Sequence, residues 1–130
     1  MANVSKSITV NLTSGEVFEV LSTSVKSLSG IDGAVVLGID VNGQGLRYIN
    51  SDDNISGGAG LLALLGTFVT IPTSATENVY IPADDISMVV PSGAAGSAGI
   101  VLWNDSIGSS LVSTSSTATV AAIKVLINAL

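Results

Sequence analysis

Ten carboxylates and four cations carry nearly all the ionisable chemistry of this chain, which contains no histidine and no cysteine. That absence removes the Ser-His-Asp triad, Cys-His pairs, histidine general-base catalysis and the common zinc sites. What remains is two adjacent acid pairs, Asp52-Asp53 and Asp84-Asp85. Paired acids could serve as acid and base of a glycosidase if both side chains faced one cleft. Each pair also has a plainer role. Asp52-Asp53 precedes an apolar run of helical spacing, where carboxylates cap a helix start, and Asp84-Asp85 follows Ile81-Pro82-Ala83 at a turn. The sequence therefore assigns no catalytic residue, and the expectation is a protein that is not an enzyme.

Asp40-Val41-Asn42-Gly43-Gln44-Gly45 opens like a calcium loop, with oxygen ligands at its first, third and fifth positions and glycine at its sixth. The closing glutamate is missing, because the twelfth position is Ser51, and a strand stands where a helix should precede the loop. A hairpin turn through Asn42-Gly43 is the expectation, with weak calcium binding at Asp40 left open. Gly93–Gly99 lacks the spacing of a phosphate cradle and runs into a strand, and Gly57-Gly58-Ala59-Gly60 opens a helix without either motif. Trp103, Tyr48, Phe68, Tyr80 and Phe18 stand singly on strands, which suits packing better than a sugar platform. Neither a cofactor nor a metal is expected.

Only Lys6, Lys26, Arg47 and Lys124 are cationic, and the net charge is −6. Nucleic-acid binding normally draws on clustered basic side chains, so the composition predicts no nucleic-acid partner and no anionic membrane. Charged residues make up 11% of the chain, so its polar surface is mainly serine, threonine and glycine. Such a surface is buried against neighbouring subunits at low desolvation cost, which predicts a homo-oligomer. Residues 1–7 are polar with no apolar run behind them, so no secretory signal is expected.

The elements that must position these residues come in two sets. Short alternating runs predict strands at Ser7–Leu12, Glu16–Leu21, Val25–Leu28, Ala34–Ile39 and Gly45–Asn50, then a helix over Ile55–Leu65. The order repeats at Phe68–Ile71, Asn78–Ile81, Ile86–Val90, Gly99–Trp103 and Ser109–Ser113, then a helix over Thr119–Leu130 with Val120, Ile123, Leu126, Ile127 and Leu130 as its apolar stripe. An offset of 65 brings Leu37 onto Leu102, Ser51 onto Ser116 and Leu61 onto Leu126, and upstream an offset of 61 brings Val10 onto Ile71 and Val20 onto Ile81. The predicted fold is mainly β with two short helices (α+β), an internally duplicated unit of antiparallel strands closed by a C-terminal helix. Residues 1–66 and 67–130 are the two copies, forming one compact domain or two packed lobes.

Around Ile81-Pro82-Ala83-Asp84-Asp85-Ile86, a short hairpin and the closing helix Thr119–Leu130, the second half resembles small strand-rich virion proteins of tailed marine phages. The resemblance implies a structural component of a virus particle, such as a capsid decoration protein bound to the major capsid protein. The associated expectations are a trimer, which suits the three-fold positions of a shell, and a place in the virion. A carbohydrate-binding or adhesin-like module, including a phage tail component, is the alternative.

Overall fold

The computed structural model describes residues 6–41, 45–65, 67–104 and 111–129. The Asn42-Gly43 turn, Gln44 and Leu130 lie outside them. Five strands open the chain: β1 (Ser7–Asn11), β2 (Val17–Leu21), β3 (Val25–Ile31), β4 (Ala34–Asp40) and β5 (Leu46–Ser51), followed by α1 (Leu61–Leu65). Five more follow: β6 (Phe68–Pro72), β7 (Asn78–Pro82), β8 (Ile86–Pro91), β9 (Ala98–Asn104) and β10 (Leu111–Thr119), closed by α2 (Val120–Asn128). A 3-10 turn joins β2 to β3 at Ser22–Ser24 and another joins β7 to β8 at Ala83–Asp85. The fold is thus mainly β with two short helices, a duplicated unit of antiparallel strands ending in a helix.

Three antiparallel sheets are stacked. The central one has the order β5-β4-β3-β7-β6 and is flanked by the hairpin β1-β2 and by β10-β9-β8. Leu28 stands between Leu37 and Tyr80, and Leu37 pairs with Ile49, so these side chains share one face of the central sheet. That face packs with Ile8 and Val10 of β1 and with Leu61 and Leu65 of α1. On the opposite face, Val69, Ile71 and Ile81 pack with Val101 and Trp103 of β9 and with Ile123 of α2. The central sheet takes β3 to β5 from one copy and β6 and β7 from the other, joined along β3 and β7. The two copies are therefore interleaved.

The repeat is also visible element by element. The strands β1 and β2, the first 3-10 turn and the start of β3 recur 61 residues later as β6, β7, the second turn and β8. Leu28 pairs with Leu37 and its counterpart Val89 pairs with Val101, so Val101, and not Leu102, occupies the place of Leu37. The same bulge recurs in both copies, between Val25 and Ser27 and between Ile86 and Met88. Leu61 is buried whereas Leu126 is 36% exposed, so that expected equivalence fails too; α2 buries Ile123 instead.

The first helix is shorter than its apolar spacing predicts, for a local reason. Gly57 has φ +89, a left-handed conformation outside any helix, and a Cβ on Gly60 would strike the carbonyls of Ile55 and Ser56. The helix therefore begins at Leu61, and Asp52-Asp53 do not cap it. The second helix has a side-chain cap, with Thr119 Oγ1 accepting from the Ala122 N–H at 3.2 Å.

Candidate functional site

The carboxylates expected to cap or turn are distributed as braces between elements. Asp53 accepts from the Asn11 N–H at 2.9 Å, from Asn11 Nδ2 at 2.8 Å and from Ser51 Oγ at 3.0 Å, which ties β1 to the end of β5. Partial burial pushes its carboxyl upward, but the hydrogen bonds from Asn11 and Ser51 outweigh that, and the net result is a lowered pKa. Asp32 does the same for the loop before α1. It accepts from Ser56 Oγ at 2.7 Å and from the Ile55 and Ser56 N–H groups at 2.8 and 3.1 Å. These bonds, that of the Ser56 hydroxyl foremost, hold Asp32 below the ordinary carboxylate range. No feature of the sequence marked Asp32 for this role, because its partners lie more than twenty residues away.

The second acid pair lies elsewhere in the fold. Asp85, on the 3-10 turn before β8, stands 3.7 Å from the Lys26 ammonium on β3. The two 3-10 turns border a cleft of about 200 Å³ that also includes Phe68 and Asp84. Burial raises the Asp85 carboxyl above its usual range, and the neighbouring Lys26 opposes that rise only in part. Asp85 Oδ2 is buried and has no hydrogen-bond partner. The arrangement is an ion-paired strut between β3 and the turn. Asp53 does not line this cleft and is committed to Asn11 and Ser51. Among the described residues no group of three or more acidic, histidine or cysteine side chains could hold a metal ion.

Other candidates scatter as well. Asp40 ends β4 with its Oδ1 buried and unpartnered, while Asn42 to Gln44 of the calcium-like loop fall outside the described residues. Gly93 to Gly99 form a tight hairpin connection in which Ser97 Oγ accepts from the Gly93 N–H at 3.0 Å. Trp103 is buried and donates through Nε1 to Thr114 Oγ1 at 2.8 Å, and Phe68 and Tyr80 join the core around Leu28. The remaining aromatics, Tyr48 on β5 and Phe18 on β2, are on different sheets and make no platform.

The edge of the central sheet presents a different set of groups. On β5, Arg47, Tyr48 and Asn50 are all exposed, Tyr48 to 61%. Arg47 is the chain's one arginine, a planar fork with five donors. Lys26 is engaged by Asp85, whereas Lys6, just before β1, and Lys124, on α2, stand exposed. No helix among the described residues is long and apolar enough to cross a membrane.

The chain's fold is similar to that of a solved protein. The LytTr DNA-binding domain of a methyl-accepting/DNA response regulator from Bacillus cereus superposes with a TM-score of 0.58 over 96% of this chain and 99% of that one. Sequence identity is 13%, so the likeness is one of architecture. No protein-family model matches the sequence, and no curated protein does.

This likeness corrects the functional expectation drawn from composition. The reading as a virion protein, a shell-bound trimer or a carbohydrate-binding module gives way to the fold of a DNA-binding domain, matched over nearly the whole chain. The exclusion of nucleic acid falls with it. Its physical error was to treat net charge as decisive, when net charge bears on solubility and on the salt-dependent part of binding and leaves hydrogen-bond recognition untouched.

Proposed function

We propose that the chain is a non-catalytic DNA-binding module of a regulatory protein, reading duplex DNA mainly by hydrogen bonds to bases. The observation that carries this reading is the likeness to the LytTr DNA-binding domain over 96% of the chain. The electrostatics then constrain how such a module works. With Lys26 held by Asp85, only Lys6, Arg47 and Lys124 are available to phosphate. Affinity resting on so few charges falls weakly with salt and needs directional contacts to supply the rest. The β5 edge carries groups of the right kind, since an arginine fork pairs with guanine and an asparagine amide with adenine in the major groove. Arg47 is the residue expected to matter most.

Selection from a pool of randomised duplexes at low salt tests the reading. The expected outcome is enrichment of a defined motif that Arg47→Ala loses while its thermal melt is unchanged. Recovery of an unenriched pool after repeated rounds overturns it.

A further inference from the structure

In the first copy, β3 is flanked on both sides, by β4 and by β7. Its counterpart β8, 61 residues later and likewise preceded by a 3-10 turn, pairs only with β9 among the described strands. Where β7 and β6 join β3, Tyr80 and Phe68 complete the core around Leu28. At the matching place in the second copy there is an open groove of about 400 Å³ between β8 and α2, lined by Ile86, Met88, Val120, Lys124 and Ile127. Met88 is 51% exposed there. An open strand edge beside an apolar groove is what strand addition requires.

We propose that the β8 edge and this groove take up an extended segment of another protein as an added antiparallel strand, as β3 takes β7. The internal pairing supplies the register. Tyr80 stands opposite Leu28, so the incoming segment places an aromatic side chain opposite Val89, the residue 61 positions on. The side chain two residues further along shares that face and points toward Ser87. Charge supplies a second requirement. Just beyond β7, Asp85 meets Lys26; in the second copy Ser87 holds the place of Lys26, and Lys124 lines the same groove. The segment therefore carries an acid a few residues after its aromatic.

A second copy of the chain fits this edge poorly. Its free hairpin β1-β2 has Ser7 and Glu19 at the positions of Phe68 and Tyr80. Glu19 accepts from Ser7 Oγ at 3.3 Å and from Thr9 Oγ1 at 3.1 Å, a polar face that would be desolvated in the groove. Such a face closes a stack of repeats, whereas the β8 edge leaves it open.

The test uses the whole chain and a fluorescein-labelled peptide of the sequence Asn78–Asp85, which carries the required aromatic and acids. Saturable binding by anisotropy is expected, with new hydrogen-exchange protection confined to β8. Asp in place of the peptide's tyrosine, or Met88→Glu or Lys124→Glu in the chain, should weaken it by about tenfold or more, with the chain variants' melts unchanged. Absence of binding, equal affinity of the aspartate peptide, or protection at β2 or β3 in place of β8 overturns the proposal. So does self-association of the chain that Phe18→Asp abolishes, which would make a second copy the occupant.

Discussion

Ser51 and Ser116, 65 residues apart, are buried to 0% and 8% exposure, and each accepts the N–H of the residue two ahead, Asp53 at 2.9 Å and Ala118 at 2.8 Å. The same bend thus ends the fifth strand of one copy and redirects the corresponding strand of the other. The two hydroxyls differ in what they donate to. Ser51 Oγ lies 2.8 Å from the Asn11 carbonyl on a separate sheet, whereas Ser116 Oγ reaches only the local Ala118 carbonyl at 3.4 Å. Ser51→Ala should therefore cost about 1–2 kcal/mol, because its hydroxyl bridges two elements, and Ser116→Ala about 1 kcal/mol or less. Urea titrations of both variants check the order.

The closing helix makes a sharper contrast. Ile123 is fully buried against Val101 and Trp103, while Leu126 on the same helix is 36% exposed. Ile123→Ala should cost about 2–5 kcal/mol and Leu126→Ala well under half of that. Thermal melts of the pair decide it, and similar losses would mean that α2 packs through a different face.

How far the sequence could be read follows from the same residues. Alternation located most strands within one or two residues, although β3 runs three residues past Leu28 and β10 six past Ser113; Ser51/Ser116, Val10/Ile71 and Val20/Ile81 reflect a real repeat, because equivalent core positions need equivalent bulk. The α2 stripe was legible as helical but not as to which part of it is buried, since its five apolar positions share one face of the helix and only the neighbouring sheet selects Ile123 among them. The pairing of β3 with β7 left no local mark, and neither did the braces made by Asp32 and Asp53, whose partners are far away in sequence. The low cation count left the fold itself unmarked, because net charge bears on solubility and association rather than on architecture.

Asp85 and Asp53 predict opposite pH behaviour. Burial raises the Asp85 pKa, so the folded chain binds a proton more readily than the unfolded one, and stability falls as pH rises from the ordinary aspartate range through the raised value. Asp85→Asn removes the desolvated charge. The variant should match or exceed the parent in melting temperature near neutral pH, and the difference should shrink toward pH 4. A melt series from acid to neutral pH reads this directly.

For Asp53 the folded pKa is lowered, so its contribution is present above the unfolded value of 3.8 and is lost as pH falls through the lower folded value. Asp53→Asn should cost about 1 kcal/mol at neutral pH, a modest figure because the group is largely solvated. Once the pH has fallen through the lowered folded value, the parent and the variant should converge. A gap that persists in acid would assign the loss to packing.

The most direct test of a DNA-binding role on so acidic a chain is the salt dependence of its affinity for the enriched duplex. With Lys6, Arg47 and Lys124 as the available cations, log affinity against log salt should have a slope no steeper than about −2.7, and Arg47→Ala should flatten it by about one unit while erasing preference for the selected motif. No measurable binding at the lowest salt, or equal affinity for selected and scrambled duplexes, would contradict the account.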